Sequence, residues 1–171
     1  MPAASSAPSA PSMQKVWDAP LRCVHWALVL LICFSWWTAD SGRMDWHRYS
    51  GYAVLTLLLF RIYWGFAGST TARFSHFLRG PRNILAYFRQ TLAGAAPRHA
   101  GHNPLGALSV IALLLVLLAQ TLSGLFTIDT DGMVSGPLSP WVSYRTGRDI
   151  GDLHSLSFDL LMILVILHIT A

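Results

Sequence analysis

Four stretches of the chain are apolar for about the length of a membrane crossing: residues 21–39, 46–66, 104–128 and 152–171. A helix rises about 1.5 Å per residue, so about twenty apolar residues cross a hydrocarbon core of about 30 Å. Each stretch is a predicted transmembrane helix, and the predicted fold is all-α, an integral membrane four-helix bundle. Residues 1–14 are rich in Pro, Ala and Ser and are predicted to form a disordered tail, with the membrane domain at 15–171. The pattern changes just after Met13, which is a candidate start. The first span carries three Trp and no small-residue cleavage site, so it is expected to be retained rather than removed as a signal.

The polar connections differ from one another. In the connection at 68–103, Phe74, Phe77, Leu78, Ile84, Leu85, Phe88 and Leu92 recur at helical spacing around a break at Pro81. Arginines lie between them, which suits a helix lying in the headgroup layer against membrane lipid. Asn103 suits the N-cap of the third span and Pro104 its first position. Residues 129–151 hold Gly, Pro and Asp turns with Trp141 and Tyr144, and read as an ordered cap with an aromatic anchor. The chain stops three residues after His168, so either the natural protein continues or the last turn frays.

Composition agrees with the hydropathy pattern. The chain is 53% hydrophobic and 12% charged, which excludes an ordinary soluble domain and gives no reason to expect a nucleic-acid partner. The net charge of +4 is less informative than its distribution. Lys15 and Arg22 flank the N-terminal end of the apolar run from Cys23 to Thr38, and Arg73, Arg79, Arg82, Arg89 and Arg98 lie between the second and third spans. In the other two connections acidic residues offset the arginines. The positive-inside rule places both termini and residues 68–103 in the cytoplasm, with a bacterial inner membrane as the expected location. No Cys-x-x-Cys-His motif occurs, so covalent c-type haem attachment is not supported. Cys23 and Cys33 are expected to be packing residues.

Against this topology the histidines sort by depth. His154 and His168 are fourteen residues apart on the fourth span, about 21 Å along a helix and within about 40° of the same face. The first span places His25 near the inner side, and the second places His47 near the outer side. The expected pairs are His25 with His168 and His47 with His154, on spans one, two and four. Two opposed imidazoles at each of two depths suit two bis-histidine haems, since haem iron takes one axial ligand from each side. Six-coordinate iron would transfer electrons rather than bind oxygen. The plainer alternative makes each of them a hydrogen-bonded interfacial histidine. The third span has no histidine and is expected to be a packing helix.

Other residues carry open alternatives. Arg61 lies fourteen residues after His47, on about the same face and at inner depth. It would either meet an inner haem propionate or snorkel to the inner headgroups. Gly51 would either leave room for a porphyrin face or serve ordinary helix packing. Asp159 would either pair across the bundle or serve proton movement. His102 is either an interfacial residue or a contact for quinone or propionate, and His76 and His99 read as surface residues.

Four segments together carry a resemblance: VWDAPLRCVHW, RIYWGFAGSTTARF, GHNPLGALSVIALLLVLLAQTLSGLF and the DLH…LH ending. From Val16 onward the chain resembles the bacterial cytochrome b561 family, which includes the b-type cytochrome subunits of nickel-iron hydrogenases. The resemblance implies a four-helix membrane bundle with two haem b groups. It implies His25, His47, His154 and His168 as axial ligands. It implies electron exchange between the quinone pool and a partner. The expected function is a di-haem b-type cytochrome linking quinone or quinol to a periplasmic c-type cytochrome or another redox subunit. A hydrogenase or dehydrogenase membrane anchor is the alternative, and a histidine-lined metal transporter or a purely structural subunit is more remote. A homodimer is left open as the assembly.

Overall fold

The structure, a computed structural model, describes residues 18–77, 89, 104–130 and 134–170. Its helices are α1 (Ala19–Asp40), α2 (Met44–Ala67), the single turn α3 (Phe74–Phe77), α4 (Pro104–Phe126) and α5 (Tyr144–Thr170). Of these, α1, α2, α4 and α5 are long and apolar enough to cross a membrane. Among the described residues there is no strand, only one isolated bridge between Ile128 and Ser135.

Helix α1 starts where Asp18 caps it. The carboxylate accepts from the Leu21 N–H at 2.9 Å, and a proline lies in the first turn, where its missing N–H costs nothing. It ends at Ser41 and Gly42. The Gly42 φ of 69° is a left-handed conformation that only glycine adopts freely. Three residues then join α1 to α2, so the two helices form a tight antiparallel hairpin. A second hairpin joins α4 to α5, and α2 packs against α4 between the hairpins.

Helix α2 is central. Its buried residues, Ser50, Val54, Leu58, Arg61 and Gly65, recur at three- and four-residue spacing and form one inward stripe. Val54 and Leu58 meet Leu117 of α4 and Leu161 of α5 at mid-depth. Leu28, Leu31 and Ile32 of α1 close around them.

Three expectations need correction. The fourth helix begins at Tyr144 rather than 152, because a polar first part precedes its apolar run and hydropathy detects only the latter. The Ser143 hydroxyl accepts from the Thr146 N–H at 3.1 Å and caps that start. The third helix ends at Phe126 rather than 128, where the chain turns into the Ile128–Ser135 bridge. Cys23 and Cys33 are exposed on the outside of the bundle, so neither is an interior packing residue. The tail at 1–14, the interfacial helix beyond residue 77, His99, His102, Asn103 and the His76 side chain lie outside the described residues.

Candidate cofactor site

The apolar layer of Val54, Leu58, Leu117 and Leu161 divides two polar levels. Toward the α1–α2 turn lie His47 and His154 with their hydrogen-bond partners. Toward the other end lie His25, Arg61, Ser109 and His168.

At the first level the rings of His47 and His154 lie 6.2 Å apart between centres, edge to face, with planes at 90°. An imidazole nitrogen binds a transition metal at about 2 Å, with the ring centre about 1 Å further back. Two imidazoles on one metal therefore sit about 6 Å apart, which is the spacing seen. Each ring is also oriented from behind. The His47 Nδ1 lies 2.9 Å from the Ser35 carbonyl and 3.1 Å from its hydroxyl. The His154 Nδ1 lies 2.9 Å from the Gln120 carbonyl and 3.1 Å from the Ser123 hydroxyl. A carbonyl only accepts, so each Nδ1 carries the proton and donates it, leaving the lone pair on Nε2. This tautomer is the one that metal-bound histidines with backbone acceptors adopt.

A cavity of about 640 Å³ opens at this level, lined by His47, Gly51, Gln120, Gly124, His154 and Asp159. A Cβ placed on Gly51 would meet nothing within 4 Å, so that wall is open. Gly124 does the reverse: a Cβ there would come within 3.0 Å of His154 Cε1, so glycine lets the imidazole lie against α4. The Gln120 carboxamide donates to His154 Nε2 at 3.1 Å and accepts from Ser157 Oγ. A metal on His154 would take the place of that Gln120 N–H.

At the second level lie His25 of α1 and His168 of α5. His168 Nδ1 is 3.5 Å from the Ser109 hydroxyl of α4. Arg61 is buried beside this level, with its guanidinium 5.0 Å from the centre of the Phe74 ring. Just beyond it, Asp18 also accepts from Trp64 Nε1 at 3.0 Å and Ser69 Oγ at 2.6 Å, tying the start of α1 to the end of α2. Burial raises the Asp18 pKa, but the Ser69, Trp64 and Leu21 hydrogen bonds and the Arg61 charge outweigh it and hold the carboxyl below its ordinary value.

The structure thus brings together the rings of His47 and His154, and it places His25 and His168 toward the opposite end of the bundle. Among the described residues no three His, Cys, Asp or Glu cluster as for a metal ion held by protein alone. A close pair such as His47 and His154 suits a metal that arrives in its own macrocycle and needs two more donors, so that donor set fits haem. The third span is more than packing: Gln120, Ser123 and Gly124 position His154, a correction to the expectation from its lack of histidine. Ser35, Ser157, Trp64 and Ser69 were also missed. Gln120 alone had a visible signal, a carboxamide inside an apolar run.

Four helices long and apolar enough to cross a membrane define a class, the multi-pass membrane proteins. The particular family follows from the sequence: residues 16–171 match the prokaryotic cytochrome b561 family, and the chain belongs to it. Membership in a family of b-type cytochromes implies haem b. The chain is similar to a probable Ni/Fe-hydrogenase B-type cytochrome subunit of Azotobacter chroococcum mcd 1, at 24% identity over 189 residues, covering 90% of this chain and 78% of that protein. No solved structure matches.

Proposed function

We propose that the protein is a di-haem electron carrier of the bacterial inner membrane, passing electrons between the quinone pool and a periplasmic redox partner such as a c-type cytochrome. His47 and His154 hold the outer haem, and His25 and His168 the inner one, with both termini cytoplasmic. The observation that carries the reading is the His47–His154 pair: rings 6.2 Å apart, each Nδ1 turned to a backbone carbonyl. Haem b supplies a one-electron couple at each level when bound. The Ser35 and Gln120 carbonyls hold the imidazoles in the ligating tautomer, and Gly51 leaves the porphyrin face unobstructed. The apolar layer between the levels keeps water from the path that electrons take.

The test is haem content with reduced-minus-oxidised spectra, compared at equal amounts of inserted protein. His47→Ala and His154→Ala share one spectral defect, and His25→Ala and His168→Ala share another. Each class falls from two haems per chain toward one, while His25→Ala with His154→Ala loses both. Unchanged haem content in all four single variants refutes the reading and leaves interfacial histidines.

A second reading, the membrane subunit of a nickel-iron hydrogenase, is favoured by the name of the similar Azotobacter protein. Purification of the chain from its native membrane separates the two. Hydrogenase subunits in stoichiometric yield support the second reading, and their absence supports the first.

A further inference from the structure

Arg61 is the one charged side chain buried among the described residues, at 8% exposure. It sits on the inward stripe of α2. Its Nη1 has no hydrogen-bond partner. The Phe74 ring covers the guanidinium at 5.0 Å, and Gly65 makes room for that ring, since a Cβ there would collide with it. A snorkelling arginine keeps its charged head in the headgroup layer. Arg61 does not: its head is enclosed by helix and aromatic ring. Asp18 interacts with it through space, but the Asp18 oxygens already accept from Leu21, Trp64 and Ser69. Among the described residues no ion pair at contact distance joins Arg61 to any acid.

A buried guanidinium nitrogen left unpaired is costly, and its planar fork matches a carboxylate. His25, His168 and Ser109 supply no carboxylate and Asp18 stays beyond contact distance, which leaves Nη1 open to an acceptor that a ligand brings. We propose that Arg61 anchors a carboxylate of the ligand held between His25 and His168, a propionate of the inner haem. This rests on the two-haem reading. It makes Arg61 and Phe74 a carboxylate pocket distinct from the axial histidines, with Phe74 as the wall that excludes water from the ion pair.

The test uses the full chain in lipid nanodiscs and follows transfer of the inner haem to an excess of haem-scavenging apoprotein. The inner haem is the one whose spectral signal His25→Ala removes. A hydrogen bond to a charged group is worth enough that Arg61→Gln accelerates loss of the inner haem about tenfold or more, while the outer haem leaves at its normal rate. Arg61→Lys falls between. The second arm reconstitutes the chain with iron protoporphyrin dimethyl ester, which has no carboxylates. The ester itself leaves the inner site faster from the wild type, and Arg61→Gln then adds nothing. That non-additivity identifies the pair.

An Arg61→Gln effect of equal size on ester and natural haem overturns the proposal, as does no effect on either. Inner-haem retention that tracks exchange of anionic for zwitterionic lipid in the wild type, and is lost in Arg61→Gln, assigns the guanidinium to a headgroup phosphate and also overturns it. If Arg61→Gln does not insert, Arg61→Lys decides in the same two arms. A wild type that binds no second haem refutes the two-haem reading first, and this inference with it. Two haems with silent Arg61 variants refute this inference alone.

Discussion

Asp18→Ala should destabilise the bundle more than a surface change at the head of a helix normally does. The carboxylate holds three donors from three places: the Leu21 N–H at 2.9 Å, Trp64 Nε1 at 3.0 Å and Ser69 Oγ at 2.6 Å. Loss of an N-cap costs about 1 kcal/mol. Hydrogen bonds to a charged acceptor contribute about 1.5–3 kcal/mol each when enclosed. Asp18 is only partly buried, and water compensates part of the loss, so about 2–4 kcal/mol is expected in total. Asp18→Asn keeps the cap but offers one acceptor oxygen in place of two, and should cost about half as much. The carboxyl titrates below its ordinary value of 3.8, because the hydrogen bonds and the Arg61 charge together outweigh desolvation. Its stabilisation is therefore complete above that value and is lost as pH falls through the lower folded-state value. Denaturant unfolding in mixed micelles, followed by tryptophan fluorescence at pH 7 and below pH 4, measures both effects. Wild-type stability in Asp18→Ala, or an undiminished acid transition in Asp18→Asn, would refute the reasoning.

Gly124→Ala adds a Cβ 3.0 Å from His154 Cε1 and should cost about 1–3 kcal/mol by crowding. Spectra should show a change in the haem of His47 and His154 and none in the other. Gly65→Ala displaces the Phe74 ring that packs there and should loosen inner-haem retention as Arg61→Gln does, read in the same transfer assay. Reporter fusions after residue 96 should read cytoplasmic and those after Ser135 periplasmic, and the opposite pattern would invert the two levels.

The crossing helices were legible because an apolar run of about twenty residues has few other fates in a chain of this composition. Their ends were less so. Tyr144 to Gly151 is polar, and only the Ser143 hydroxyl at the Thr146 N–H marks it as helical. That His47 and His154 approach each other was legible because antiparallel helices reverse depth. What holds the rings was not. The acceptors on Nδ1 are the carbonyls of Ser35 and Gln120, and every residue has a carbonyl. The tie from Asp18 to Trp64 and Ser69 spans 46 and 51 residues and exists only once α1 lies against α2. Whether the Arg61 head reaches water depends on Phe74, which follows α2 in a loop that the hydropathy pattern does not place.

His47 and His154 are each tied within their own hairpin: His47 of α2 to Ser35 of α1, and His154 of α5 to Gln120 and Ser123 of α4. The ring orientations are thereby held by contacts inside each hairpin, which lowers the ordering cost of binding. The carbonyl fixes the tautomer, and the serine hydroxyl is a second, weaker acceptor on the same Nδ1–H. Ser35→Ala and Ser123→Ala remove only the hydroxyl. Both variants should therefore keep two haems. An acceptor on Nδ1–H makes the imidazole a stronger donor to the metal and favours the oxidised state. Removing it should raise the potential of the outer haem. A single hydrogen bond contributes about 0.5–1.5 kcal/mol, so each shift should not exceed about 60 mV for a one-electron couple. The hydroxyls act on different rings in different hairpins, so the double variant should show the sum of the two shifts. Redox titration of the separated spectral components measures this. A shift in the inner haem, a fall in the outer potential, or loss of haem from either single variant would show that these hydroxyls do not act through Nδ1.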